Sequence, residues 1–327
     1  MQGKEKLLSL LYESGDGYAS GNWIAKELGM TRAAVWKMIR QLEAEGYEID
    51  AVTNRGYRLG RTNDMVNVPC LCRYLAEEAE IFCPEAFEVI DSTNTYLKAR
   101  AAELPAWHAA VAGEQTAGRG RSGRSFYSPS GSGVYLSVLR KPRVPAEEAS
   151  RITTAAAVAA CRAIEECTDE KPSIKWVNDI FVRGRKVCGI LTEASVDLES
   201  GSLDWAVMGI GFNVYEPEEG FPEEIREVAG GITKGKQKDL RCRLAAAFLR
   251  HFRALSQDLS ANAFAEEYRE RSFLIGRDVA VLSAAGSRPA RVLDVDPECR
   301  LIVRYEDGRE EALSSGEVRV RPVPDGE

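Results

Sequence analysis

A glycine- and arginine-rich segment reads Gln115-Thr116-Ala117-Gly118-Arg119-Gly120-Arg121-Ser122-Gly123-Arg124 and contains no acidic residue. Glycine allows backbone N–H groups to approach a ligand closely, and each arginine offers a planar fork of donors suited to a carboxylate or phosphate. The segment, here called the glycine-arginine loop, therefore predicts an anion-binding loop. Because it occurs once and lies between strand patterns, we favour this interpretation over a disordered RNA-binding tract.

An α/β pattern extends on both sides of this loop. A strand near 87–90 leads into a helix that opens at Asp91-Ser92-Thr93-Asn94, and an alanine-rich helix covers 146–166. Further strands are predicted at 109–112, 134–139, 173–176, 180–182, 187–195 and 205–211, with helices at 240–255 and 264–273. We assign residues 67–274 to one domain, a sheet with helices packed on it, and interpret the polar residues 63–67 as a linker.

The first 62 residues predict a separate winged helix-turn-helix. Ser20 and Thr31 occupy N-cap positions of its second and third helices, and residues 53–56 have the composition of a hairpin turn. The outer face of Thr31 to Arg40 carries no acid, and the wing carries Arg55 and Arg58. A protein-interaction module with a solvated cationic face is the alternative. We favour DNA binding, with contacts from Thr31, Arg32, Lys37, Arg40 and Arg55.

Residues 275–327 change to short alternating runs separated by Gly- and Pro-containing turns, which predicts a small all-β barrel. The expected fold class is therefore α+β and multidomain.

A net charge of −7 argues against coating nucleic acid by bulk electrostatics, so any DNA contact must come from a local patch. The sequence has neither a long apolar run nor a secretory signal, and the eight scattered cysteines indicate reduced thiols. These features predict a cytoplasmic protein without a membrane span.

Two histidines, His108 and His251, limit the available chemistry. Neither has a context typical of a catalytic triad or a zinc site, so we expect catalysis by positioning and electrostatics. Attack of a substrate carboxylate on the α-phosphate of ATP suits these conditions because it needs no protein base. The residue types for stabilising the phosphoryl charge are Arg119, Arg121, Arg124 and Lys186, with Mg²⁺ as a helper. Strand alternation also places Cys188 on the face of Lys186, as an apolar part of the pocket wall.

Four motifs resemble those of the biotin-protein ligases, specifically the bifunctional type that also represses the biotin operon. They are Asp91–Asn94, Gly118–Arg124, Lys175–Asp179 and Lys186–Leu191. Val177 replaces the family's proline and Cys188 replaces a glycine, and neither change removes a charged group. The resemblance implies a winged helix-turn-helix, a class II synthetase-like catalytic domain and an SH3-like C-terminal barrel.

The resemblance also implies a reaction and a regulatory role. Biotin and ATP would give biotinyl-5′-AMP, and the biotinyl group would pass to a lysine of a biotin carboxyl carrier protein. A ligand-promoted homodimer would repress biotin genes by binding operator DNA. The glycine-arginine loop should be mobile without ligand and become ordered around the adenylate.

The residues that the resemblance assigns fall into overlapping groups. Biotin contacts are implied for Ser92, Thr93, Asn94, Gln115, Arg119, Gly120, Arg121 and Lys186. Nucleotide contacts are implied for Arg121, Arg124, Phe126, Asn178, Asn213 and Arg321. The catalytic set is Arg119, Arg121, Lys186 and Asp179. Asp179 is our hypothesised helper in deprotonating the acceptor amine.

Three alternatives remain at this point. The first is a repressor that senses biotin without catalysis, against which Lys186 and the complete arginine loop argue. The second is a lipoate or octanoate ligase on the related fold. The third is a biotin ligase whose helix-turn-helix regulates nothing.

Overall fold

The computed structural model describes residues 2–142, 144–197, 199–283, 286–314 and 316–320. Residues 2–60 form a three-helix unit with a two-stranded wing. Its elements are α1 (Gln2–Glu13), α2 (Gly21–Glu27), α3 (Arg32–Ala44), β1 (Ile49–Val52) and β2 (Gly56–Leu59). The predicted caps are confirmed, because the Ser20 hydroxyl accepts from the Trp23 amide at 3.1 Å and the Thr31 hydroxyl from the Ala34 amide at 3.2 Å. The first wing strand begins only at Ile49, so Tyr47 and Glu48 precede the hairpin.

The central region is a mixed sheet with helices packed on it. Its helices are α4 (Val68–Leu75), α5 (Ala79–Phe82), α6 (Thr93–Ala99), α7 (Ala149–Cys167), α8 (Leu240–Leu255) and α9 (Ala265–Arg271). Its strands are β3 (Glu85–Ile90), β4 (Ala109–Gln115), β5 (Gly133–Arg140), β6 (Ser173–Lys175), β7 (Asp179–Val182), β8 (Arg185–Val196) and β9 (Leu203–Asn213). The described strands form one seven-stranded sheet in the order β3-β4-β5-β9-β8-β7-β6, parallel only between β3 and β4.

The core of this region lies between the sheet, α7 and α8. Helix α7 is alanine-rich, and most of its length is buried. Small side chains allow α7 to approach both the sheet and α8 closely, while the aromatic rings of Phe248 and Phe252 on α8 fill the remaining space.

The C-terminal region is a five-stranded antiparallel sheet over its described residues. Its strands are β10 (Asp278–Ser283), β11 (Gly286–Val295), β12 (Leu301–Tyr305), β13 (Glu310–Leu313) and β14 (Glu317–Val320), in the order β13-β12-β11-β10-β14. The Trp176 indole N–H donates to the Cys299 carbonyl at 2.9 Å, which fastens this sheet to the central region. The expected mixed α+β architecture is confirmed. In the described parts of the chain, no helix is both long and apolar enough to span a membrane.

Residues 63–67 connect the N-terminal region to α4 without a helix or strand of their own, and their polar side chains are packed inside the protein. Asn63, Asp64 and Asn67 are buried against the central region. The Arg241 guanidinium forms an ion pair with Asp64 at 3.2 Å, and the Tyr215 hydroxyl donates to the same carboxylate at 2.7 Å. The polar side chains of Asp64 and Asn67 are thus used for internal pairing, since the Asn67 amide group donates to the Tyr12 hydroxyl at 3.1 Å.

Candidate active site

A cavity of about 410 Å³ opens on the face of the central strands, beside the start of α6. Its wall combines the start of α6, the glycine-arginine loop, β7, β8, β9 and the adjacent edge of the C-terminal sheet. The polar and charged side chains that line it are Ser92, Thr93, Asn94, Gln115, Arg119, Arg121, Ser122, Arg124, Ser125, Lys175, Asn178, Asp179 and Lys186. Sequence motifs separated by about ninety positions therefore meet around one space large enough for a small-molecule ligand.

One wall of the cavity is a network of hydroxyl and amide groups. The Thr93 amide and hydroxyl both donate to Gln115 Oε1, at 2.9 and 3.1 Å. The Thr93 hydroxyl also lies 2.7 Å from that of Ser137, and Ser137 donates to Asn94 Oδ1 at 2.6 Å. Ser137 is fully buried. The network fixes the side-chain orientations of Thr93, Gln115 and Asn94 before any ligand binds.

A glutamate below this network was not predicted from the sequence. Glu193 accepts hydrogen bonds from Asn94 Nδ2 at 2.9 Å and from Lys98 Nζ at 2.7 Å, and its carboxylate lies 3.8 Å from the Arg119 guanidinium. Burial opposes ionisation of Glu193, but the bonds from Lys98 and Asn94 outweigh it and hold the pKa of this carboxyl below its ordinary value. An ionised Glu193 therefore anchors Asn94 and attracts Arg119 electrostatically.

The glycine-arginine loop has an internal hydrogen-bond framework. The Gly120 amide donates to the Arg124 carbonyl at 2.7 Å, and the Phe126 amide donates to the Gly118 carbonyl at 2.9 Å. Arg121 points across the cavity, where it donates to Asn178 Oδ1 at 3.0 Å and to the Gly316 carbonyl at 3.3 Å. The loop is thus tied to both the central sheet and the C-terminal sheet through one guanidinium.

Asp179 of β7 and Lys186 of β8 face each other in the cavity. Lys186 Nζ lies 2.6 Å from Asp179 Oδ1, and both side chains are only partly exposed. Asn178, the neighbour of Asp179, donates through Nδ2 to the Ile190 carbonyl at 2.7 Å. The ammonium group is therefore held in place by a carboxylate, and a positive charge is positioned beside the space that a ligand would fill.

The expectation that Cys188 lines the pocket is wrong. A β-bulge pairs Phe181 with Lys186 but Ile180 with Cys188, so one extra residue interrupts the alternation of β8. Cys188 is completely buried and is not among the described residues of the cavity wall. Burial raises the pKa of its thiol well above the ordinary value, which suits an apolar packing role.

The Phe126 ring forms an aromatic part of the cavity wall, and its position requires glycines on the strands beneath it. A Cβ built on Gly211 would overlap the Phe126 ring, and one built on Gly189 would lie 3.0 Å from it. Similarly, a Cβ on Gly209 would overlap the Asn94 side chain. The strands β8 and β9 therefore present bare backbone where the ring and the amide must approach the sheet.

Some predicted site residues lie elsewhere. Asn213 ends β9 and is buried, but it is not among the described residues of the cavity wall. Arg321 lies outside the described residues. His108 and His251 lie outside the cavity and pair with Glu85 at 2.7 Å and Glu166 at 2.8 Å, in agreement with the structural roles expected for them.

The predicted DNA-contact residues occupy one side of the N-terminal region. Thr31, Arg32, Lys37 and Arg40 are exposed on and before α3, and the Arg55 guanidinium lies over the Tyr18 ring at 5.3 Å. Two cations of this side are paired with acids that lie outside the stretch from Thr31 to Arg40. Arg40 pairs with Glu43 at 2.9 Å, one helical turn further along α3, and Arg58 pairs with Asp50 at 2.6 Å, its partner across the wing hairpin.

Comparisons with known protein families agree with this geometry. Residues 86–213 match the biotin/lipoate A/B protein ligase family, residues 4–58 match a helix-turn-helix domain, and residues 274–321 match the biotin protein ligase C-terminal domain. The bifunctional ligase/repressor BirA of Bacillus subtilis is 30% identical over 95% of this chain and 97% of its own length. This chain belongs to the bifunctional biotin-protein ligase family.

Other relatives of the ligase extend the comparison. BirA of Escherichia coli is 32% identical over 64% of this chain and 63% of its own length. The biotin protein ligase of Aquifex aeolicus, solved in complex with biotin and ATP, is 25% identical and superposes with a TM-score of 0.59 over 73% of this chain and 99% of its own. The cavity described above therefore belongs to a ligase whose family fold includes an N-terminal helix-turn-helix.

Proposed function

We propose that this ligase joins biotin to ATP and then transfers the biotinyl group to a lysine of a biotin carboxyl carrier protein. In the first step a biotin carboxylate oxygen attacks the α-phosphorus, and the bond to the bridging oxygen breaks to release pyrophosphate. In the second step the lysine amine attacks the acyl carbon, loses a proton and releases AMP. The observation that carries this proposal is the convergence of a fixed hydroxyl–amide wall with Arg121 and Lys186 around one cavity.

The two sides of the cavity suit the two ends of biotinyl-AMP. The ureido ring of biotin carries donors and an acceptor, which Thr93, Gln115 and Asn94 can match with hydroxyl and amide groups. The carboxylate and the α-phosphate would meet near Lys186 and Arg121, where positive charge offsets the repulsion of two anions. We assign the remaining biotin contacts to Ser92, Arg119 and Gly120, and the remaining nucleotide contacts to Arg124, Phe126 and Asn178.

Mg²⁺ is proposed as a companion of ATP rather than as a metal held by the protein. Asp179 is the only carboxylate among the described residues of the cavity wall, and it already pairs with Lys186. Mg²⁺ commonly binds through substrate phosphates plus one or two carboxylates, so these residues fit a metal that arrives on the nucleotide. When bound, it would neutralise phosphate charge.

We assign two linked roles to Asp179. Its carboxylate orients the Lys186 ammonium in the first step and accepts the proton of the acceptor lysine in the second. Supplying purified biotinyl-5′-AMP to the Asp179→Asn variant isolates the second step. Transfer to the carrier at the wild-type rate would contradict the proton-accepting role.

We also propose that residues 1–62 form a DNA-binding domain that represses biotin genes, with 67–274 as the catalytic and 275–327 as the C-terminal domain. The observation that favours repression is the exposed cationic side of α3, where Arg32 and Lys37 project from the surface. Adenylate bound under the glycine-arginine loop would promote a homodimer, which would place two helix-turn-helix units on two half-sites.

Biotin-dependent exchange of pyrophosphate into ATP tests the ligase reaction, with octanoate as the competing acid. Exchange with biotin and none with octanoate is expected, whereas preference for octanoate would favour the lipoate-type alternative.

Fluorescence anisotropy of labelled DNA from the host's biotin promoter tests repression. Tighter binding with biotin plus ATP than with either alone is expected, and no binding under any condition would leave a ligase that does not regulate.

A further inference from the structure

An exposed tryptophan lies at the centre of α3. The Trp36 side chain has 53% of its surface exposed, the largest exposure among the described large hydrophobic residues. Arg32, Trp36 and Arg40 are spaced four residues apart, so they form a column along one face of the helix. The buried side of the same helix consists of Val35, Ile39 and Leu42, which means that Trp36 is not needed to complete the core of this region.

The column faces a groove between α3 and the wing. This groove has a volume of about 430 Å³, and the wing contributes the turn around Thr53, Asn54 and Arg55. The start of α2 closes one end through Ser20, Gly21 and Asn22. The lining is therefore mostly polar and includes three arginines. Trp36 is its largest apolar side chain, and Ile39, Val52 and Tyr57 also contribute.

Neighbouring contacts orient the ring and neutralise the single acid nearby. The Arg40 guanidinium lies over the Trp36 ring, 5.4 Å from its centroid. Glu43, the only carboxylate among the described residues of the groove, bonds to Arg40 at 2.9 Å. The groove thus has charge complementarity to a polyanion, while the indole remains available for an apolar group of that polyanion.

We propose that Trp36 is a specificity residue that contacts thymine methyl groups in the major groove of operator DNA. The C5-methyl of thymine is the one apolar group that base edges present there, and apolar side chains read it by contact. The flanking Arg32 and Lys37 would contact phosphates and position α3, but they carry no sequence information. This inference rests on the proposed DNA-binding function and adds which base feature the protein reads.

The test replaces single methyl groups in DNA. Duplexes are first selected by the full-length wild-type protein, with biotin and ATP, from a random DNA pool. Each thymine of the selected duplex is then replaced by uracil, which removes only the methyl. We expect at least one replacement per half-site to raise the wild-type Kd about fourfold, the effect of one buried methyl group. The same replacements should leave the Kd of Trp36→Ala unchanged.

Further measurements separate specificity from general affinity. Trp36→Ala should lose about tenfold in discrimination against a thymine-to-cytosine duplex, with the salt dependence of binding unchanged. Trp23→Ala, which removes another exposed tryptophan that does not line the groove, should retain the response to uracil. Urea denaturation curves equal to that of the wild type, together with unaltered pyrophosphate exchange, would verify that both variants fold.

The outcomes distinguish this inference from the function on which it rests. If wild-type protein selects and binds DNA but Trp36→Ala responds to uracil as the wild type does, the role of Trp36 is wrong and DNA binding stands. If no uracil replacement affects the wild type, thymine methyls are not read. If the wild type selects no DNA even at low salt, both DNA binding and this inference fall together.

Discussion

The catalytic cavity and the exposed face of α3 both carry cationic side chains, but they hold them in opposite ways. In the cavity, Lys186 is bound to Asp179 at 2.6 Å and Arg121 to Asn178 at 3.0 Å. On α3, Arg32 and Lys37 are exposed, and within the described chain no ion pair involves either of them. The cavity thus has charges fixed in position, whereas the helix has charges that remain hydrated.

This difference matches two physical tasks. Stabilising a transition state requires charges that are oriented in advance, because reorganisation during the reaction costs free energy. Binding the DNA backbone gains from releasing condensed counterions, which exposed and mobile side chains can do without a fixed geometry. If the comparison holds, substitutions of fixed charges should strongly lower stability or catalytic activity. Substitutions of hydrated charges should change DNA affinity only slightly, and this change should depend on salt.

The largest effect is expected where a charge is most completely buried. Asp64→Ala leaves Arg241 buried without its carboxylate, and the free energy of unfolding should fall by about 3–5 kcal/mol. Urea denaturation at neutral pH measures this loss. The matched control is Asp50→Ala, which removes the partner of Arg58 from the exposed wing and should cost at most about 1 kcal/mol. Equal losses of unfolding free energy in the two variants would mean that burial does not determine how much an ion pair contributes to stability.

Lys186→Met tests the fixed charge of the cavity itself. Without the ammonium group, biotin-dependent pyrophosphate exchange should fall about 10²–10³-fold, the usual effect of removing one oriented donor in an active site. Lys171→Met, on an exposed position outside the cavity, is the control and should exchange at the wild-type rate. An activity of Lys186→Met within threefold of the wild type would show that the cavity does not depend on this charge.

Gly211→Ala tests whether the cavity shape is also fixed. The added methyl would overlap the Phe126 ring, so the ring must shift into the ligand space. We expect a stability loss of about 1–3 kcal/mol and a higher KM for biotin or ATP. Gly235→Ala is the control, because a Cβ there meets no atom within 4 Å. A wild-type KM in Gly211→Ala would mean that Phe126 can move without disturbing the site.

The smallest effect is expected on α3. Lys37→Ala should weaken binding to all DNA sequences alike by a few-fold and reduce the slope of log affinity against log salt by about 1. Anisotropy titrations at several salt concentrations measure the slope. Lys6→Ala on α1, another exposed lysine of the same region, should leave it unchanged. A slope equal to that of the wild type would mean that Lys37 makes no phosphate contact.

Local patterns predicted much of this molecule. The capping residues Ser20 and Thr31 act on their own helices, and the buried residues Val35, Ile39 and Leu42 of α3 recur at the three- and four-residue spacing of one helix face. The glycine-arginine loop and its partner motifs also meet at one cavity, as expected for segments that share a ligand. Each of these inferences depends on residues a few positions apart, or on a combination of motifs that the family uses together.

Other features depended on contacts between distant residues. Ser137 gives no motif, yet it connects Thr93 and Asn94 because β5 lies beside the start of α6. The polar segment 63–67 is buried because Arg241, 177 positions after Asp64, provides its counter-charge. A pattern of polarity alone predicts exposure, since it contains no information about a partner so far along the chain.

The sequence by itself determined the kind of chemistry: the glycine-arginine loop and Lys186 indicate activation of a carboxylate by ATP, and the helix-turn-helix indicates DNA. Tertiary structure decided which side chains face the ligand. The bulge in β8 turns Cys188 into the core while Lys186 remains at the cavity, although strict alternation would place them together. The physical reason is that side-chain direction in a strand follows the register with its neighbour, and a single extra residue reverses it.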